Sequence, residues 1–355
     1  MEKSNIKILL AILAILVTIS IVIVVKKPST KKEIIEEEHS NTTENDNIII
    51  GEIENKEIKT YNGNERPIAV MIDNHKGAWP QYGIQEAYMV YEIIVEGGET
   101  RLMALFKGKD VPQIGPVRSA RHYFIDYAME NDAIYTHFGE SPQARRDIKR
   151  FSIDEISGIS KDEEAFLRIK TKKSPHNVIT STEKILEAAK KQKIRTKSNN
   201  KSVLNYSTEE IELMDGIDAK CIKIPHSTLQ KVKYEYDAKS KKYIRYAREK
   251  EQRDEQTGKA ITVKNIIITL CDNYTLEDSE EKGRQGLKNI GVFDGYYITN
   301  GKAIKIKCKK ENRDSKTIYQ DLEGNEIKVN DGNTFINICP KESKIEFLED
   351  GKEEK

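Results

Sequence analysis

The sequence predicts an α+β fold. A first domain of layered mixed β-sheets and helices precedes a smaller, mostly antiparallel β domain, and one transmembrane helix stands at the N terminus. Three observations carry this reading. Helix signatures fall only between about residues 119 and 191. Short strand-like runs separated by turn residues fill most of the chain beyond them. Residues Ile8 to Val25 are apolar except for Thr18 and Ser20.

At ~1.5 Å per residue the apolar run spans about 27 Å, close to the thickness of a bilayer hydrocarbon core. Lys26 and Lys27 end it, and Val24-Val25-Lys26-Lys27 offers no small-residue cleavage site. No cysteine lies in or just after the run, which excludes a lipidated anchor. Residues 1–27 therefore read as an uncleaved signal anchor. Lys26, Lys27, Lys31 and Lys32 follow the run and outnumber Lys3 and Lys7 before it, so charge bias alone favours a cytoplasmic C terminus. Residues 28–60 are polar, rich in Glu, Asn and Thr, and read as a flexible linker.

The first domain, residues 61–200, opens with the apolar run Pro67 to Ile72, a buried strand leading into Asp73-Asn74-His75. Met89 to Val95 and Thr100 to Phe106 are strands around the turn Glu96-Gly97-Gly98-Glu99. A helix follows from about Ser119 to Glu130, with Phe124, Tyr127 and Ala128 on one face. After the strand Ala133 to Phe138, Ser141-Pro142 opens a second helix, Ser at the N-cap and Pro at N1. Thr180-x-x-Glu183 forms a capping box before a third, Ile185 to Lys191.

The second domain, residues 201–345, reads as all-β. Val232, Tyr234 and Tyr236 alternate with charged residues, as do Ile304, Ile306 and Cys308. Asn300-Gly301 signals a type I′ hairpin, and Ile261 to Leu270 is the longest apolar strand, hence central. Residues 346–355 form a charged tail.

Lys and Arg number 59 against 58 Asp and Glu, a net charge of +1, and no field draws the chain to nucleic acid. Cys221, Cys271, Cys308 and Cys339 show no metal-binding spacing and read as small buried apolar residues.

Polar residues concentrate at strand ends. Arg118 and Arg121, three apart at a helix start, share a face and can hold a phosphate or carboxylate. The alternative pairs them with Glu92, Glu96 or Asp126. His137-Phe138-Gly139-Glu140-Ser141 is a second such turn, suited to anion binding or acid–base work, or else a cap beside a hydrogen-bonded histidine. Ser174-Pro175-His176-Asn177 is an ordered loop that can complete a site. A metal centre would need three of His75, His122, His137 and His176 to converge, and none is assigned. No GxSxG elbow or P-loop occurs.

These clusters resemble the YerB family, extracytoplasmic lipoproteins or anchored proteins of Bacilli and Clostridia with no assigned activity. The resemblance rests on Arg66 to His75, Pro80-Gln81, Tyr91-Glu92, Glu96-Gly97-Gly98-x-Thr100-Arg101, Gly115 to Arg121, His137-x-Gly139 and Pro175-His176-Asn177. In the second half it rests on Tyr234 to Asp237, Asn300-Gly301-Lys302 and Gly332 to Ile336. It implies that the folded part lies outside the cell membrane, with a transmembrane helix in place of the family's lipidated cysteine. The expected function is binding of an anionic ligand or envelope polymer. Its candidate residues are Asp73, Glu96, Arg101, Arg118, Arg121, His122, His137, Glu140, Ser141, His176 and Asn177. No catalytic residue or cofactor is assigned. Expected partners are the membrane, through the N-terminal helix, and a cell-wall polymer or envelope protein, with no nucleic acid. Two alternatives stand. One is a hydrolase of envelope phosphodiesters or glycans, using Glu96, Glu99, Glu140 and the histidines. The other is a scaffold for membrane or cell-wall proteins.

Overall fold

The structure is a computed structural model that describes residues 56–277 and 280–348. The apolar run of the expected anchor and most of the linker lie outside the described residues. Among the described residues no helix is long and apolar enough to cross a membrane.

The strands that matter are β1 (Ile68–Asp73), β2 (Met89–Ile94), β3 (Thr100–Phe106), β4 (Ile134–His137) and β5 (Glu155–Ser157) from the first half. The second half supplies β6 (Cys221–Pro225), β7 (Lys231–Asp237), β8 (Lys242–Ala247), β9 (Asn265–Thr275), β10 (Gly291–Thr299), β11 (Lys302–Lys310), β12 (Ile318–Gln320), β13 (Thr334–Pro340) and β14 (Glu346–Leu348). The helices are α1 (His122–Glu130), α2 (Pro142–Arg150) and α3 (Thr182–Lys191).

One sheet dominates, in the order β12-β11-β10-β9-β13-β2-β3-β1-β4-β5. It crosses the expected boundary at residue 200: β13 of the second half runs parallel to β2 of the first, Phe335 opposite Val90. The described residues accordingly form one compact unit. The second sheet is antiparallel, β8-β7-β6-β14 with short additions at β8. Its edge strand β14 takes up the start of what reads in sequence as a charged tail, with Phe347 opposite Ile222.

Alternation along each strand feeds two cores. Val70, Ile72, Val90, Leu102, Ile266 and Phe335 face the second sheet's Ile222, Val232 and Tyr234 together with Ile185 of α3. Met71, Tyr91, Met103, Ile267 and Ile336 face Phe124, Tyr127 and Ala128 of α1 and Ala144 of α2. β9 is central, as its apolar length predicts, between β10 and β13. Asn300 and Gly301 hold φ of +49° and +78°, the mirror-image turn that their pairing predicts. All four cysteines are free and buried.

Three local expectations shift. The cap of α3 is Ser181, which accepts from the Lys184 N–H, while Thr180 bonds the Ala165 carbonyl. The first helix starts at His122, not Ser119, because residues 118–121 are extended. Their backbone is taken by neighbouring strand ends: Arg118 N–H donates to Met71 O and Ala120 N–H to Gly139 O. Lastly, the end of the linker is docked, with the N–H groups of Lys59 and Thr60 on the Asp331 carboxylate.

Candidate functional site

β1, β4 and β5 run parallel, so their carboxyl ends share one edge of the main sheet. Such an edge, beyond the strand ends, is where open α/β sheets offer a binding crevice. Asp73 ends β1 there, Glu96 follows β2, and Arg101, the second residue of β3, lies opposite both Asp73 and Ile93. The segment 117–121 closes the edge, with Val117 bridging Ile72 and Ala120 bridging Glu140.

Asp73 is the hub. Its Oδ2 lies 3.1 Å from Arg118 Nε and 2.7 Å from His176 Nδ1. Its Oδ1 accepts from the His75 N–H at 3.0 Å. The rings of His75 and His176 stack at 4.4 Å and 9°. The Gly77 N–H donates to His75 Nδ1, so the proton of neutral His75 sits on Nε2. Burial lowers the His75 pKa, and the neighbouring His176 lowers it further. The Arg118 side chain is 27 % exposed, against 17 % for His176 and 5 % for Asp73.

Arg121 makes a two-toothed pair with Glu96, Nε to Oε1 at 2.6 Å and Nη2 to Oε2 at 2.9 Å. Burial raises the Glu96 carboxyl, but the Arg121 bond and the charges of Arg121 and Arg101 outweigh it and hold it below its ordinary value. Arg101 is different. It is 8 % exposed and its one side-chain hydrogen bond among the described residues is Nη1 to Ser119 O at 2.7 Å. Among the described residues no carboxylate lies within ion-pair distance. Burial lowers its pKa to about 9, with the Arg121 charge adding to the effect. Three guanidiniums thus face two carboxylates, and the excess positive charge rests on the most buried of the three.

Arg248 joins from the second sheet. It donates to Asn74 O at 3.1 Å and pairs with Glu99. Beneath it runs a sealed polar seam between the sheets. Asn74 Nδ2 reaches Glu92 and Thr100, and Glu92 Oε2 lies 2.5 Å from Arg245, with both side chains 0 % exposed. Arg245 in turn pairs with Gln252, which donates to Gln81 at 2.9 Å. Gln81 and Trp79 both donate to Asn74 Oδ1.

Of the expected residues, Asp73, Glu96, Arg101, Arg118, Arg121 and His176 therefore converge. The others do not. His137 is fully buried, Nδ1 on Gly139 O and Nε2 on Glu155, each at 2.8 Å, and lines no recess. Ser141 is spent as the α2 cap, accepting from Ala144 N–H. Glu140 binds Arg145. His122 lies beside Asp147 and Arg313, with its pKa lowered to about 4 by burial first. Asn177 staples its own loop through Ile169 O and Arg168. The expected shared helix face for Arg118 and Arg121 is lost with the helix start, since both sit on extended backbone. Among the described residues no group of His, Cys, Asp and Glu could hold a metal. Clefts of about 650 and 750 Å³ open at the far end of β1, lined by Lys107 and Lys109, away from the arginines. His75 was visible in sequence as part of the Asp73-Asn74-His75 strand end and as one of the four histidines weighed for a metal centre, but not as a candidate for the anion site. Arg248 gave no local signal at all, since it lies in a hairpin turn of the other half.

The fold and this edge define a two-sheet α+β protein with a cluster of arginines, carboxylates and histidines beyond its parallel strands. Residues 54–195 match the family described as "Protein of unknown function (DUF3048) N-terminal domain" and residues 222–336 its C-terminal domain. The chain belongs to this family, that of the YerB-like proteins. It is 29% identical over 275 residues to YerB of Bacillus subtilis (strain 168), which carries a provisional lipoprotein name, covering 78% of this chain and 81% of that one. The crystal structure of the Bacillus subtilis YerB protein superposes with a TM-score of 0.71 at 28% identity, over 80% of this chain and 94% of that one.

Proposed function

We propose that the chain is an envelope protein that binds an anionic ligand at the recess formed by Arg101, Arg118 and His176. The observation that carries this is Arg101. A buried guanidinium without a carboxylate costs the fold on the order of a few kcal/mol. A fold selected for stability alone would put an apolar side chain there. A phosphate or carboxylate entering the recess supplies the missing counter-charge and takes up donors that Arg101 leaves free. Arg118 is open enough to share the same anion while its Nε stays on Asp73. The lipoprotein name of the Bacillus relative, together with the apolar run at residues 8–25, supports a membrane-anchored, extracytoplasmic location with a single-pass helix as the anchor. Ligands at hand there include phosphate-bearing and carboxylate-bearing wall polymers.

The test is calorimetric titration of the full chain in detergent with inorganic phosphate and with poly(glycerol phosphate). The expected result is saturable binding that falls at least tenfold, about 1.4 kcal/mol, in Arg101→Gln, with the melting temperature unchanged or raised. Equal binding by Arg101→Gln, or a melting temperature lowered by the substitution, rejects the reading.

A further inference from the structure

We propose that the recess is also a hydrolytic site, in which His176, oriented by Asp73, activates water against a carboxylic ester carried by an anionic molecule. The proposal rests on the anion-binding reading and gives that site a reaction. It starts from two histidines held in opposite tautomers. His176 places Nδ1 on Asp73 Oδ2 at 2.7 Å. In the neutral ring that nitrogen carries the proton, so Nε2 keeps its lone pair. Nε2 has no hydrogen-bond partner among the described residues and is not among the sealed, unpartnered atoms, so it reaches solvent. His75, stacked on it, accepts at Nδ1 from Gly77 and keeps its proton on Nε2. One ring presents a base and its neighbour a donor, beside the open Arg118 guanidinium. A carboxylate-oriented imidazole next to fixed donors is the arrangement that general-base attack on a carbonyl requires.

The step balances on one histidine. His176 Nε2 takes a proton from water as the water oxygen bonds to the carbonyl carbon. The displaced electron pair goes to the carbonyl oxygen, where His75 Nε2–H and Arg118 are the donors. The tetrahedral species collapses, the bond from carbon to the leaving alcohol oxygen breaks, and protonated His176 returns its proton to that oxygen. One water is consumed, and a carboxylic acid and an alcohol leave. Asp73 is a positioning residue: it holds the ring through Nδ1. An ester fits this geometry better than a phosphodiester. In-line displacement at phosphorus puts the attacking and leaving oxygens on opposite sides, out of reach of a single imidazole, whereas both steps at a carbonyl carbon can use one.

The experiment measures hydrolysis of 4-nitrophenyl hemisuccinate, 4-nitrophenyl acetate and bis(4-nitrophenyl) phosphate by the full chain in detergent. The expected result is saturable turnover of the hemisuccinate, with kcat/KM at least tenfold above that for the acetate. His176→Ala should lower it at least 100-fold without changing the melting temperature, and added imidazole should restore part of the rate. Lys109→Ala, whose pair with Glu86 is exposed and remote, should match the parent. A His176→Ala rate equal to that of the parent, or no turnover above free imidazole at equal concentration, overturns the proposal. So does turnover of the phosphodiester in place of the ester. Phosphate titration of the same samples separates the two failures. Binding without turnover leaves the anion site standing and removes only the reaction, whereas loss of both removes the site.

Discussion

Replacing Arg245 by methionine tests the seam between the two sheets and, through it, the floor of the site. Both members of the Glu92–Arg245 pair are 0 % exposed, and they lie 2.5 Å apart. The substitution keeps most of the volume but removes the charge, along with the bonds to Gln252 and Tyr234. Glu92 would remain buried with, among the described residues, Asn74, Thr100 and, at 3.9 Å, His226 as polar neighbours. Removing one partner of a sealed pair costs about 3–5 kcal/mol because the other charge stays uncompensated. At the low end of ~2–4 °C per kcal/mol, as suits a chain this long, the melting temperature should fall by roughly 6–10 °C. The pH dependence gives a second handle. Burial raises the Glu92 carboxyl, but the Arg245 charge outweighs it and holds the group below its ordinary value. The pair's stabilisation is therefore present above the ordinary carboxylate range and lost as pH falls through the depressed value. In Arg245→Met the depression disappears, so the gap from the parent should narrow on acidification, where Glu92 can take up a proton. Urea denaturation at several pH values measures this, with Glu92→Gln and the double substitution completing a cycle. A loss below ~1 kcal/mol, or a double substitution whose loss is the sum of the two singles, would refute the assignment of a coupled buried pair.

Four further outcomes are expected. Arg101→Met should raise the melting temperature at neutral pH, because it replaces an uncompensated buried cation, while phosphate affinity drops; thermal scans with and without phosphate read both. Burial lowers His122 to about 4 from 6.5, so the unfolded chain binds more protons between those values and stability should decline as pH falls through that window; His122→Gln should flatten this part of the profile of melting temperature against pH. Ser141→Ala removes the bond to the Ala144 N–H and should cost about 0.5–2 kcal/mol in urea denaturation, with phosphate affinity unchanged. All four thiols are free and buried, so a thiol-reactive dye should label none quickly in the native chain and four in denaturant; a smaller denatured count would reveal a disulfide.

What could be read along the chain was whatever depends on near neighbours. The hairpin around Glu96 to Glu99, the Asn300-Gly301 turn, the Ser141-Pro142 helix start and the apolar length of the central strand each follow from side-chain period or from a turn residue's φ preference. All of them appear in the fold. The arginine motif was legible as polar chemistry at a strand end. Its backbone was not, because residues 118–121 give their hydrogen bonds to β1 and to the Gly139 turn instead of to a helix. Only distant segments decide that competition.

Partnership was beyond the sequence for the same reason. Asp73 meets His176 across 103 residues and Glu92 meets Arg245 across 153. Glu92 looked like a partner for the arginines because it lies near them along the chain. Alternation along β2 turns it instead toward the second sheet, where Arg245 neutralises it, and Arg101 is left without an acid. A charge's worth depends on burial and on the nearest opposite charge, and both are fixed only when the sheets close on one another. Local periodicity specified the elements, and tertiary packing chose which guanidinium would remain uncompensated.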